Sequence, residues 1–318
     1  MTPVRGPGWR GDLRLSRAPT SQCGHTGQMN HKEGSIRQLL RVPVGPINVL
    51  RDFDAGANPG FPKGKGKGAV ARFNDQLDPE IDYRQEQMYA EGLRNPASAP
   101  SVLLVLQGLD TAGKGGVIRH VIGTIDPSGV KIHAFKKPTD EELRHDFLWR
   151  IRKALPNPGD IGIFDRSHYE DVLVQRVEKL APPEEIERRY GAINEFEAEL
   201  VAGGTHLIKC FLHVSKGEQR ERLLARLDNP EKYYKYNPGD VDTALKYDEY
   251  MDAFNLALTR CNTETAPWFW VPSDDKWYRN WAIAQLLLET LETLQLGWPG
   301  ADFDVEAERA RVKALATE

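Results

Sequence analysis

The segment Gly108-Leu109-Asp110-Thr111-Ala112-Gly113-Lys114 constrains this chain more than any other feature. It matches the spacing GxxxxGK, follows an apolar run from Val102 to Gln107, and precedes a helical pattern. In a strand, loop, helix arrangement, glycines let consecutive backbone N–H groups turn inward around phosphate oxygens. The helix N-terminus adds partial positive charge at the same place, and a lysine at the position of Lys114 reaches the terminal phosphate. Gly108, Gly113, Gly115 and Gly116 are therefore expected to line a phosphate site closed by Lys114. A glycine-rich turn with a solvated lysine is the plainer alternative.

The position after the lysine departs from the usual motif. Ser or Thr normally follows and its hydroxyl binds magnesium, but here Gly115 and Gly116 follow. Another group must then hold a cation. Asp110 lies inside the loop, where a carboxylate facing a polyphosphate is repelled unless a cation sits between them. It could equally brace the turn through nearby backbone. Asp165 ends the apolar run Ile161-Gly162-Ile163-Phe164, and parallel strands deliver their carboxyl ends to the ligand crevice. A helix cap is the other reading of a strand-ending aspartate. Arg166 follows it directly and can supply a charge-assisted contact to phosphate, or simply a surface ion pair.

From Ser101 onward, short apolar runs alternate with helical patterns, which predicts an α/β fold with a parallel sheet. The strands are expected at Val102–Gln107, Val130–Phe135, Ile161–Phe164, Thr205–Val214 and Trp268–Val271. Helices are expected at Leu77–Leu93, from Pro183 to the Gly203-Gly204 stop, and from Asp274 to Leu296. Thr139-Asp140-Glu141-Glu142 reads as a capping box opening a helix through Leu143, Phe147, Ile151 and Leu155. Ser215 and Glu218 repeat the device. Residues 1–40 read as a disordered extension, 41–100 as a basic strap and helix, 101–298 as the core with a lid near 216–242, and 299–318 as a tail. Within the strap, Phe61 to Gly68 alternates lysine with glycine and is expected to be mobile.

The chain of 318 residues carries a formal net charge of −4, which alone argues against a polyanion partner. The distribution differs: residues 1–72 hold a net +8 and the remainder −12. Three cysteines without a CxxC pair indicate neither a disulfide framework nor a zinc site, and a reducing cytoplasm is expected. No apolar run approaches the ~20 residues of a membrane span.

Several separated stretches resemble the polyphosphate kinase 2 family. They are QGLDTAGKGG (Gln107 to Gly116), FKKPTDEELRHDFLWR (Phe135 to Arg150), FDRSHYEDVLVQRV (Phe164 to Val177), RLLARLDNPEKYYKYNPGD (Arg222 to Asp240) and WFWVPSDDKWYRN (Trp268 to Asn280). The resemblance implies a parallel-sheet phosphate-loop kinase core, thymidylate-kinase-like, with a helical lid. It implies transfer of phosphate between inorganic polyphosphate and nucleotides, with Asp110 and Asp165 as magnesium carboxylates, Lys114 as loop lysine and Arg166 as the arginine after the strand. The RSHYEDVLV wording is similar to members that accept both AMP and ADP. Adenine nucleotides, with guanine nucleotides as a further option, are the expected acceptors, and a dimer or tetramer the expected assembly.

A long polyanion also needs cations beyond the reacting phosphates. Arg119 on the loop helix, and Arg222 and Arg226 one turn apart on a later helix, are candidates, although Glu218 and Arg222 are also spaced as an ordinary helix ion pair. Lys136, Lys137 and Thr139, just after the second strand, are placed to contact the acceptor or to form a cap with solvated lysines. Glu170 and Asp171 are candidates for facing the nucleotide or shaping the metal shell. The competing functions are an ATP-dependent nucleoside monophosphate kinase and a non-enzymatic nucleotide or polyanion binder. Deleting residues 1–72 is expected to separate binder from enzyme.

Overall fold

The five apolar runs become five strands: β1 (Ser101–Gln107), β2 (Val130–Ala134), β3 (Ile161–Asp165), β4 (Thr205–His213) and β5 (Trp268–Pro272). All neighbours pair in parallel, in the order β2-β3-β1-β4-β5. The computed structural model describes residues 34–315. β1 is buried along its whole length, as a central strand covered by helices on both faces must be. β2 lies at an edge and is mostly exposed. The register sets Leu106 beside Asp165 and Gln107 beside Phe211, so the carboxyl ends of β3, β1 and β4 finish side by side.

Helices fill the gaps largely where periodicity placed them. Pro183–Ala202 begins with proline in its first turn and stops at Gly203. Lys216–Leu227 is capped by Ser215, whose Oγ accepts from the Glu218 N–H at 3.2 Å. Lys276–Thr293 packs along the long helix Lys67–Arg94, which buries Leu77, Ile81 and Met88. No described helix is long and apolar enough to cross a membrane.

Three expectations need correction. The capping box at Thr139 forms, with the Thr139 N–H on Glu142 Oε2 at 2.7 Å and the Glu142 N–H on Thr139 Oγ1 at 3.3 Å. The turn it opens nevertheless ends at Arg144, and helix resumes only over Trp149–Lys153. A cap starts a turn but packing prolongs it, and Leu143 is exposed. Secondly, the N-terminal helix starts at Lys67 rather than Leu77, running through Gly68 and Pro79 because Val70 is buried and Phe73 packs on Phe61.

The third correction concerns the N-terminal boundaries. Residues 1–33 of the expected disordered extension lie outside the described residues, but Ile36–Leu40 is a helix. Its N-terminus is closed by Glu289, which accepts from Ser35 Oγ (2.5 Å) and from the N–H groups of Ile36 (2.9 Å) and Arg37 (3.1 Å). Leu40, Val42, Val49 and Phe61 then enter the core, and the Val42 N–H bonds Trp268 O at the edge of β5. Removing residues 1–72 would therefore strip core side chains and could not serve as a test of function alone. The tail ends in an exposed helix, Val305–Ala314.

Candidate active site

The phosphate loop bridges β1 and the short helix Lys114–His120. Gly113 has φ +107°, and a Cβ there would meet Arg279 Nη1 at 1.8 Å, so only glycine fits. Thr111 (φ 70°) and Arg166 (φ 66°) also occupy the left-handed region, which a residue with a side chain adopts only at a cost in strain. A Cβ at Gly115 would meet nothing within 4 Å, so the hydroxyl missing from this position is not missing for want of space.

The structure brings Asp110, Lys114, Asp165, Arg166 and Glu170 together. Arg166 Nη2 donates to Asp110 Oδ1 at 2.7 Å, and its Nη1 lies 3.5 Å from Glu170 Oε2. Burial works against the Arg166 charge, but Glu170, Asp110 and Asp165 outweigh it and raise the guanidinium further. Lys114 is buried and donates to Gly108 O (2.8 Å) and Leu109 O (3.4 Å). Its ammonium is lowered by burial and by Arg166, against the pull of Asp110, Asp165 and Glu170. Glu170 is raised, chiefly by burial. With the Gln107 amide turned to satisfy both its ends, its NH2 donates to Glu170 Oε1 at 3.0 Å and its carbonyl accepts from Ser167 Oγ at 2.9 Å. The result is a cleft of alternating charge at the ends of β1 and β3.

One cavity opens into this cleft and a second lies around Asp171. The first, of about 310 Å³, touches Gln107, Asp110, Arg166, Glu170, Lys246 and Tyr250. The other, about 500 Å³, is lined by Lys137, His145, Phe147, Arg150, Asp171 and Arg189. Lys136 and Lys137 are exposed, and Thr139 is engaged in its cap.

Arg222 occupies a different place from the one expected. It is buried, and its Nε–H goes to Glu218 Oε1 (2.8 Å), Nη1 to Thr111 O (2.8 Å), and Nη2 to Ser273 O (2.6 Å) and Asp274 O (2.7 Å). Spent on carbonyls, the guanidinium clamps the phosphate loop to the end of β5 instead of facing a phosphate. Arg226 joins Asp240 at 2.8 Å and Lys235 O at 2.8 Å, tying Lys216–Leu227 to Gly239–Leu245. Arg119 is exposed.

Several residues that matter here escaped the sequence reading. Arg279 is buried against the loop, donating to Ala112 O at 3.0 Å. Burial first, and then Arg222, lower it to about 9. Its signal was an arginine on the core-facing side of an otherwise apolar helix. Lys209, within the apolar run of β4, is fully buried and donates to Glu197 Oε2 (2.6 Å), Cys261 O (2.7 Å) and Tyr169 Oη (3.0 Å). Tyr169 Oη in turn donates to Glu197 Oε1 at 2.7 Å, and His168 Nε2 lies 3.3 Å from the same oxygen. This network holds the turn His168–Asp171, which carries Glu170.

Asp171, on the same turn, lies 3.4 Å from Arg189 and 3.9 Å from Arg150, yet its Oδ2 has no hydrogen-bond partner. Burial exceeds the pull of both arginines and raises its carboxyl from 3.8 to about 6. The folded protein therefore holds this proton more tightly than the unfolded chain. The group's contribution to stability is most favourable below about pH 4, falls as pH rises to 6, and stays at its lowest above that. The whole change is on the order of 3 kcal/mol. Asp171→Asn should remove that slope, so the difference in melting temperature between variant and parent should rise across pH 4 to 6. A constant difference would reject it.

Comparison with known proteins agrees with this geometry. A family model described as polyphosphate kinase 2 matches residues 74–296. An AMP/ADP-polyphosphate phosphotransferase of Meiothermus ruber is 44% identical over 234 residues, covering 74% of this chain and 85% of the relative. An ADP-polyphosphate phosphotransferase of Rhodopseudomonas palustris is 39% identical over 265 residues, 75% of this chain and 91% of the relative. The crystal structure of polyphosphate kinase 2 from Arthrobacter aurescens TC1 superposes with a TM-score of 0.84 at 48% identity, covering 88% of this chain and 97% of that one. With its matched sequence, its five-stranded parallel sheet and its aspartate-bearing phosphate loop, the chain belongs to the polyphosphate kinase 2 family.

Proposed function

We propose that this protein transfers phosphoryl groups reversibly between inorganic polyphosphate and adenine nucleotides, with AMP and ADP as acceptors. The observation that carries the reading is a phosphate loop without Ser or Thr after Lys114, whose own Asp110 sits 2.7 Å from Arg166 beside the strand-ending Asp165. Relatives named as AMP/ADP- and ADP-polyphosphate phosphotransferases support it.

An acceptor phosphate is already ionised near neutral pH, so positioning and charge neutralisation carry the reaction. No base is required, and His168, wholly buried on Glu197, is not placed to act as one. Lys114 exchanges its carbonyl contacts for the oxygens of the transferring group, and Arg166 stabilises the same oxygens from the β3 side. Asp110 and Asp165 would hold a divalent cation, magnesium in this reading. The donor set fits: both carboxylates lie close enough to Lys114 and Arg166 to perturb them, and magnesium takes one or two carboxylates beside phosphate and water oxygens. Held there, a divalent cation would supply neutralisation of phosphate charge. Glu170 at the 310 Å³ cavity and Lys137 at the 500 Å³ one support acceptor contact, with Lys136 beside the latter in sequence. Residues 216–242 form the lid in this proposal, joined by Arg226, and Arg119 offers an exposed cation.

We further assign a two- or four-subunit assembly, supported by the open edge of β2 with Ile132 exposed, and cytoplasmic residence, supported by the free buried thiols of Cys210 and Cys261. The test of function is a donor comparison. Purified protein with magnesium, polyphosphate and AMP or ADP should yield the higher nucleotide. If none appears while ATP phosphorylates a monophosphate, the protein is an ATP-dependent nucleoside monophosphate kinase instead.

A further inference from the structure

Residues 61–72 contain four Lys or Arg and no acidic residue. Lys63, Lys65 and Lys67 are exposed, and among the described residues no carboxylate pairs with any of them. Among the described residues, the one interaction of their ammonium groups is that of Lys65 Nζ, 5.8 Å from the centre of the Phe73 ring. The protein itself therefore makes little use of this charge.

The turn is nevertheless anchored, which a mere linker would not need. Phe61 is buried, with its ring 4.8 Å from Trp277, 5.0 Å from Trp281 and 5.4 Å from Phe73. Upstream, Tyr278 Oη donates to Pro59 O at 2.8 Å, and Asn58 Nδ2 to Asp275 Oδ2 at 3.2 Å. Apart from Phe73, which lies on Lys67–Arg94, these partners all fall on residues 275–281, the cap and start of Lys276–Thr293. That helix start also carries two cations, one of which abuts the phosphate loop. Arg279 lies against Gly113 and Gly116. Lys276, exposed, is pushed down by burial, then by Arg222, with Arg279 and Lys232 adding to it and Glu218 opposing. The helix start that anchors the lysine turn through Trp277 and Tyr278 thus also carries Arg279, which faces the phosphate loop, and Lys276, which feels Arg222, Arg279 and Lys232. Crowded like charges favour an anion among them.

We propose that the turn Lys63–Lys67, continued by Lys276, is a binding site for the part of a polyphosphate chain that extends beyond the reacting phosphates. The proposal rests on polyphosphate being the donor. A short donor fills only the loop, whereas a long one reaches the lysine turn and gains contacts there. The glycines between the lysines, with Gly64 at φ +75°, keep the backbone free of side chains that would hold a polyanion away.

The test uses the full chain with Lys63, Lys65 and Lys67 all changed to Gln, positions exposed enough to leave folding intact. The ratio of kcat/KM for long-chain polyphosphate to that for tripolyphosphate should fall at least about tenfold, and the log–log salt dependence of long-chain binding should lose roughly two units of slope, as for three contacts on a single-stranded polyanion. An unchanged ratio overturns the proposal. Binding of fluorescently labelled long-chain polyphosphate, read by anisotropy, decides the matter even if the parent shows no turnover with polyphosphate, a result that would defeat the functional reading separately. Equal affinity of parent and variant overturns the site. Displacement by single-stranded RNA as effective as by unlabelled polyphosphate also overturns it, in favour of a general polyanion surface.

Discussion

Asp165→Asn should lower turnover by at least about two to three orders of magnitude, the scale on which one preorganised charged contact to a reacting group is worth 2.7–4 kcal/mol. Asp110→Asn should do the same. The geometry makes the pair informative, because asparagine keeps the shape of each side chain. At position 110 it also keeps an oxygen to accept from Arg166 Nη2, which lies 2.7 Å from Oδ1. Melting temperature should hardly move in either variant, so the loss reports charge and not collapse of the loop. Turnover measured across a magnesium titration checks it. An apparent metal affinity that weakens together with the rate places the residue at the cation, and full rate retained in either variant removes that residue from the site.

Lys209→Met should have the largest effect on stability, about 3–5 kcal/mol, because it leaves Glu197 as an unpaired charge in a fully buried place. Burial by itself would push the Glu197 carboxyl up, but Lys209, with His168, outweighs it and holds the group below its ordinary value. Burial raises Tyr169 well above its own, with Glu197 adding to the effect. Glu197→Leu combined with Lys209→Met removes both charges, and replacing a buried pair with apolar side chains is often neutral or stabilising. Chemical denaturation of the single and double variants measures the coupling. A double variant as unstable as Lys209→Met alone would mean that lost packing, and not the stranded carboxylate, sets the cost. Because the network holds the turn carrying Glu170, Lys209→Met should also raise KM for nucleotide, and the double variant should recover stability without recovering KM.

Much of this architecture was legible because its signals are local. Strand length, helix period, the proline at the start of Pro183–Ala202 and the cap at Ser215 each depend on a few adjacent residues, and β1, β3 and β4 appear within a residue or so of their expected bounds. The capping box at Thr139 shows the limit of such signals. Its hydrogen bonds form as expected, but the helix length was decided by whether Leu143 and its neighbours had an apolar surface to cover. The FPKGKGKG turn shows the same limit in reverse. Alternating lysine and glycine predicts mobility, and one aromatic residue at its head finds three aromatic partners, two of them more than two hundred positions away.

By itself, the sequence determined the phosphate loop, the strand-ending aspartate with its arginine, the parallel α/β class and the family resemblance, all carried by spacing within single stretches. Only the tertiary structure decided how the cations are used. Arg222 and Arg119 look alike in the sequence. One meets the carbonyl oxygens of Thr111, Ser273 and Asp274 and becomes a clamp, while the other meets solvent. Lys209 stands within an apolar run in the sequence, and only the fold sets Glu197 opposite it. The physical reason is that a charged side chain acquires its role from the groups it meets on folding, and those partners are set by which distant elements pack together.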